Sequence, residues 1–162
     1  MSNIHDLSAY QRQAAAFARY PADKALDYLV PSQAHEVWEF RRERDGSLEE
    51  KLEAGDVLWM GVMILRELGI DTVTVDVNTV CKYPPYPMMD HAMEAVDVWT
   101  KCVRDRGGVL SVDDRKRLVS ATLKTMASVL RYTGARGWTV ADVCAVNIDK
   151  LTARQRERET VS

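Results

Sequence analysis

The chain has 162 residues, of which 46% are hydrophobic and 28% are charged, and its net charge is −2 at pH 7. This length and composition are typical of one soluble globular domain. The charge balance argues against a nucleic-acid-binding protein, which usually needs a strongly basic face, and no apolar run approaches the roughly 18 residues of a membrane span. The three cysteines lack the spacing of a zinc site or a disulfide framework, so we expect a reduced, cytoplasmic protein.

Apolar residues recur with the period of a helix through most of the chain, which predicts an all-α helical bundle. Pro31 is favoured in the first turn of a helix. Ser47 is a predicted N-cap, with Glu50 at the position that completes a capping box. The predicted helices of the first half are Tyr10–Arg19, Pro31–Arg44 and Ser47–Leu68.

The middle of the chain interrupts the helical pattern. Residues 72–77 alternate between polar and apolar side chains, which predicts a short strand or an extended connector. Residues 82–87 contain three prolines and predict the main internal boundary. Beyond this boundary the predicted helices are Met88–Arg106, Ser111–Arg136 and Val140–Arg158.

Two pairs of acidic residues have i,i+3 helical spacing: Glu36 with Glu39, and Glu53 with Asp56. Each pair points one way from its helix, so two such helices packed antiparallel could bring the carboxylates together. A solvated helix face is the alternative interpretation. Residues 57–65 carry no charge, however, so the second pair adjoins a buried segment, where carboxylates are costly unless paired or bound to metal. Oxygen ligands favour Mg²⁺ or Mn²⁺, which indicates a metal-dependent enzyme acting on nucleotides.

A weak internal repetition crosses the boundary at residues 82–87. Glu36-Val37-Trp38 recurs as Asp97-Val98-Trp99, and long helices follow both segments. One interpretation is a degenerate duplication within a single domain spanning 1–162, with half-repeats 8–80 and 86–154; the other is chance similarity between helices. The second half has Glu94 and Asp97, which could add to a shared site, but no counterparts of Glu53 and Asp56.

Three segments, in the right order, resemble the MazG-like all-α nucleoside triphosphate pyrophosphohydrolases. Residues 53–59 (E-A-G-D-V-L-W) are similar to the E-L-G-D-V-L-W block of that family, and residues 147–154 resemble its closing N-x-x-K-L-x-x-R. Tyr10-Gln11 and Tyr20-Pro21 resemble the opening of its short phage-type members. The family signature, E-x-x-E followed by E-x-x-D, is matched by the two acidic pairs.

The resemblance implies hydrolysis of ribo- or deoxyribonucleoside triphosphates to a monophosphate and pyrophosphate, in the control of nucleotide pools. It implies two or more Mg²⁺ or Mn²⁺ ions at each site, and a homodimer or homotetramer. One branch of the phage-type members removes dGTP, which makes dGTP or GTP one candidate substrate. The sequence itself does not determine the base preference.

The resemblance also implies roles for individual residues. Metal ligands are expected at Glu36, Glu39, Glu53 and Asp56, and Glu39 and Glu53 are candidate catalytic groups that orient or deprotonate water. Many family members would instead align Gln33 with the first glutamate, so whether Gln33 or Glu39 completes the acid cluster stays open. The remaining candidates are Asn147, Lys150 and Arg154 as phosphate contacts, and Trp38 and Trp59 as base-stacking residues. The alternative for the first three is a solvated, salt-bridged helix, and the alternative for the two tryptophans is core packing.

Two other functional interpretations fit the same sequence. The first is a nucleotide-binding or scaffold protein of this fold with weak or lost turnover, which the neutral Gln33 favours. The second is a small helical interaction module whose acidic residues are solvated. Metal-linked stabilisation distinguishes the second from the others, because only a protein with a metal site is stabilised by the ion.

Overall fold

The computed structural model describes residues 3–83 and 87–162, and it confirms the all-α fold. Residues 84–86, within the predicted boundary segment, lie outside the described residues. In the described part of the chain, no helix has the length and apolar character needed to cross a membrane. The helices are α1 Ser8–Ala14, α2 Ala25–Arg42, α3 Leu48–Glu67, α4 Met88–Arg106, α5 Val112–Ala135 and α6 Val140–Val161.

Helix α3 lies at the centre of the molecule. It packs against α1, α2, α5 and α6, and α4 joins the bundle through its contacts with α2 and α5. Its residues from Val57 to Leu65 are all buried, which confirms that the uncharged segment forms the core. The Ser47 side chain accepts a hydrogen bond from the Glu50 amide at 3.1 Å, so the predicted N-cap is confirmed.

Helix α2 begins earlier than predicted. The sequence predicts a start at Pro31, but α2 begins at Ala25 and contains Pro31 in its interior. A proline there removes one backbone hydrogen bond and costs about 3 kcal/mol. Leu29 and Val30 become fully buried in the extra turns, and burial of such side chains contributes about 1.5–3 kcal/mol each. Burial therefore offsets the cost of the proline.

Helix α1 is shorter than predicted. It ends at Ala14, a 3₁₀ turn follows at Ala15–Phe17, and the backbone is extended at Ala18. The Trp59 indole N–H donates a hydrogen bond to the Ala14 carbonyl oxygen at 3.2 Å. This carbonyl is one that a continuing helix would use, so the contact with α3 helps to end α1.

The predicted strand or connector at residues 72–77 contains a short strand, β2, at Thr74–Asp76. It pairs antiparallel with β1 at Ile4–Asp6, with His5 opposite Val75. Strand β1 was not predicted, because three residues are too few to show alternation. Strand β1 is followed by α1, which packs against α3, and the Tyr10 side chain of α1 reaches Asn147 on α6.

Candidate functional site

Helices α2 and α3 bring three predicted carboxylates together. Glu36 lies on α2, and Glu53 and Asp56 lie one turn apart on α3. One carboxylate oxygen from each residue lies within 4.8 Å of the other two, and all three residues are half-buried. We call these residues the acid cluster. The acid cluster could therefore hold a metal ion, and carboxylate oxygens are donors that hard cations prefer.

Helix α6 brings a buried amide and an ammonium group to Asp56. The Asn147 side-chain amide donates a hydrogen bond to one Asp56 oxygen at 3.0 Å. The Lys150 ammonium donates to the other Asp56 oxygen and lies 3.8 Å from Glu53. Asn147 is fully buried, and its own carbonyl oxygen accepts a hydrogen bond from the Tyr10 hydroxyl at 2.7 Å. The amide of Asn147 is therefore used within the protein to orient Asp56.

Burial and the neighbouring negative charges raise the pKa values of two members of the acid cluster, Glu36 and Glu53. Burial, and after it the negative charges of Asp56 and Glu53, raise the pKa of Glu36 to about 7. The pKa of Glu53 is also raised, mainly by burial, although the Lys150 ammonium counteracts part of the effect. A bound cation would relieve this repulsion, which is the electrostatic condition expected of a metal site.

The raised pKa of Glu36 predicts a pH-dependent stability of the metal-free protein. Between about pH 4.5 and about pH 7, folded Glu36 retains a proton that the unfolded chain has lost, so its contribution to the free energy of unfolding falls as pH rises. Glutamine imitates the protonated group, so Glu36→Gln should retain stability over this interval. Melting temperatures of wild type and Glu36→Gln in EDTA, at about pH 5 and about pH 8, measure this loss of stability. An identical fall in wild type and Glu36→Gln would contradict the prediction.

Other predicted ligands lie outside the acid cluster. Glu39 is half-exposed, and its carboxylate lies 3.6 Å from the His35 Nε2 atom. Gln33 is fully buried, and its amide has no hydrogen-bond partner among the described residues. The acids of the second half, Glu94 and Asp97, are exposed on α4, and Asp97 pairs with Lys101 at 2.9 Å. The role of Glu39 as ligand or catalytic group stays a prediction.

A pocket of about 190 Å³ adjoins the acid cluster, with Glu36 and Asp56 in its wall. Helix α6 contributes Arg154 and Arg158 to the same wall, and the chain before α2 contributes Arg19. All three arginines are exposed. Carboxylates that could hold a metal ion therefore share one pocket with guanidinium groups that could contact phosphate oxygens.

Aromatic residues form another part of the pocket wall. Trp59 belongs to it, as the base-stacking prediction required, and Phe17, Tyr20 and Tyr28 accompany it. Trp38 does not line the pocket; its exposed ring lies 4.2 Å from the Arg42 guanidinium. Sequence reasoning missed Tyr20 and Tyr28 as pocket residues, since only their position shortly before the first acidic pair could have indicated them.

Comparisons with protein-family models, with curated proteins and with solved structures found no match to this chain.

Proposed function

We propose that this protein is a metal-dependent nucleoside triphosphate pyrophosphohydrolase, which converts a ribo- or deoxyribonucleoside triphosphate to a monophosphate and pyrophosphate. The observation that carries the proposal is the acid cluster, two of whose members, Glu36 and Asp56, line a pocket that also presents Arg154 and Arg158. The sequence resemblance to the MazG-like family supports the same reaction. Candidate substrates include dGTP and GTP.

The residues that would hold the metal ions are Glu36, Glu53 and Asp56. Mg²⁺ or Mn²⁺ bound there would offset the phosphate charge and lower the pKa of the attacking water. Asn147 holds one oxygen of Asp56 in place, which fixes the direction in which this carboxylate presents its other lone pairs. The exposed guanidinium groups of Arg154 and Arg158 are free to bind phosphate oxygens as the substrate enters.

The reaction adds water across the anhydride bond between the α- and β-phosphates. The oxygen of water becomes part of the monophosphate or the pyrophosphate, and a proton passes to a carboxylate. Glu53 is our candidate acceptor, because burial raises its pKa towards the range that suits a general base. Glu39, which lies one turn beyond Glu36 on α2, is the second candidate.

Lys150 has two tasks in this proposal. Its ammonium lies against Asp56 and Glu53, where it offsets part of the negative charge of the acid cluster. The aliphatic chain of lysine is flexible. When the metal ions that accompany the substrate offset the charge of the carboxylates, the ammonium can therefore turn to the triphosphate. We also propose assembly into a homodimer or homotetramer, which light scattering of the purified protein tests.

Removal of the Tyr10 hydroxyl should weaken metal binding from a distance. Tyr10→Phe leaves the buried Asn147 carbonyl oxygen without its donor, which costs about 1–3 kcal/mol of stability and loosens the hold on Asp56. We expect Mn²⁺ affinity, measured by calorimetry, to fall by about 10-fold, as for other outer-shell partners of metal ligands.

Tyr132→Phe is the matched control for this substitution. Its hydroxyl donates to Asp45 at 3.1 Å, away from the acid cluster. This variant should retain the wild-type Mn²⁺ affinity. Unchanged affinity in Tyr10→Phe would show that the chain from Tyr10 through Asn147 does not position Asp56.

Product analysis tests the proposed function. The purified protein is incubated with each common ribo- and deoxyribonucleoside triphosphate in Mg²⁺ or Mn²⁺, and monophosphate, diphosphate, pyrophosphate and phosphate are quantified. We expect monophosphate and pyrophosphate in equal amounts, and no turnover in EDTA. Metal-linked stabilisation and nucleotide binding without turnover would instead support the alternative, a nucleotide-binding protein of this fold.

A further inference from the structure

Three aromatic rings stand together in the pocket beside the acid cluster. The rings of Tyr20 and Tyr28 are stacked, with centroids 6.0 Å apart and planes inclined by 24°. The Tyr20 ring meets Trp59 edge-on at 6.4 Å. We call Tyr20, Tyr28 and Trp59 the aromatic wall. All three residues line the pocket that Glu36 and Asp56 border.

Two rings of the aromatic wall are held by their polar ends. The Tyr20 hydroxyl donates to Glu67 at 2.8 Å, and the Trp59 indole N–H donates to the Ala14 carbonyl oxygen at 3.2 Å. Tyr28 differs, because it is 48% exposed and stacks on the Tyr20 ring. The wall therefore offers a preorganised aromatic surface with one accessible ring, which lowers the entropic cost of binding a flat ligand.

The size of the pocket and the charges in its wall indicate which part of a ligand each side of the pocket would bind. Sites for whole small molecules measure roughly 300–1,000 Å³, so a pocket of about 190 Å³ encloses only part of a nucleotide. The carboxylates and arginines match a triphosphate with its cations, and this leaves an uncharged, planar group for the aromatic side. A nucleobase has that chemistry, and bases stack on aromatic side chains whatever their identity.

We propose that the aromatic wall binds the base of the substrate, with Tyr28 as its accessible stacking surface. The proposal rests on the proposed function and names the residues that bind the nucleoside part of the substrate, the part that inorganic polyphosphates lack. Stacking on a flat wall distinguishes weakly among the bases. The wall thus selects for a nucleoside, and selection for one base requires polar contacts elsewhere.

The test compares a nucleoside triphosphate with inorganic tripolyphosphate, using the full chain in Mg²⁺. We expect Tyr28→Ala to lower kcat/KM for the nucleotide by about 10-fold, with no change in the KM or inhibition constant of tripolyphosphate. Tyr28→Phe retains the ring and should resemble the wild type. Tyr83→Ala removes another exposed tyrosine, outside the pocket, and serves as the control.

Two outcomes would overturn the base-binding proposal while leaving the reaction intact. One is an equal loss for nucleotide and tripolyphosphate in Tyr28→Ala, and the other is a loss in Trp38→Ala with none in Tyr28→Ala. If the wild type hydrolyses no nucleotide, the proposed function fails separately. Calorimetry of nucleoside monophosphate binding to wild type and Tyr28→Ala then decides: weaker binding by the variant supports the wall, and equal or absent binding overturns it.

Discussion

Replacement of Asp56 by asparagine is expected to lower nucleotide turnover by at least about 10³-fold, because metal-assisted charge stabilisation contributes several kcal/mol to such reactions. Asp56 is the carboxylate on which the site converges, since Asn147 and Lys150 both contact it and Glu36 and Glu53 lie beside it. Asparagine keeps the size of the side chain and removes its charge. The fold should therefore survive while the affinity for Mg²⁺ falls.

The measurement is initial-rate turnover together with the shift in melting temperature that Mg²⁺ produces. A bound ion stabilises the folded protein by mass action, so the shift should be present in wild type and largely lost in Asp56→Asn. Asp97→Asn is the matched control, because Asp97 is an exposed acid on α4 that pairs with Lys101. Wild-type turnover in Asp56→Asn, or an equal loss in Asp97→Asn, would contradict the assignment.

Replacement of Gly55 by alanine is expected to damage stability and the site together. A Cβ atom at Gly55 would lie 2.7 Å from the Cβ atom of Asn147, so α3 and α6 would have to separate. Overpacking costs about 1–3 kcal/mol, and the better helix propensity of alanine returns about 1 kcal/mol, which leaves a net loss of up to about 2 kcal/mol. The displaced Asn147 amide would also lose its alignment with Asp56.

Chemical denaturation and Mn²⁺ calorimetry measure the two effects. Gly134→Ala is the matched control: Gly134 lies within α5, and a Cβ atom there would meet no atom within 4 Å. This variant should gain up to about 1 kcal/mol from helix propensity. If Gly55→Ala were as stable as Gly134→Ala and bound Mn²⁺ normally, the close approach of α6 to the acid cluster would be wrong.

The sequence predicted much of the fold because helical periodicity and local capping signals are short-range. Ser47 capped its helix as expected, and Glu53 and Asp56, three residues apart on α3, share a face that meets Glu36 of α2. The same spacing from Glu36 did not bring Glu39 into the acid cluster. The predicted start of α2 at Pro31 was wrong, because the burial of Leu29 outweighs the helix-breaking tendency of this proline. That balance depends on tertiary packing.

The remainder of the candidate site could not be read from local patterns. Tyr10 contacts Asn147 because α1 and α6, which are far apart in the sequence, both pack against α3. Nothing in either segment indicates this pair. Tyr20 lies between α1 and α2, and Tyr28 lies in the first turn of α2, which begins earlier than predicted. No periodicity encodes the chain path that brings both residues to the pocket. The role expected for Asn147, a phosphate contact, gives way in our proposal to positioning of Asp56.

The most direct test of the central claim is ³¹P NMR of a nucleoside triphosphate during incubation with the wild-type protein and Mg²⁺. We predict that the triphosphate signals disappear and that monophosphate and pyrophosphate signals grow together, with no reaction after EDTA is added. Unchanged triphosphate in a folded sample, or release of diphosphate and inorganic phosphate, would contradict a pyrophosphohydrolase built on Glu36, Glu53 and Asp56.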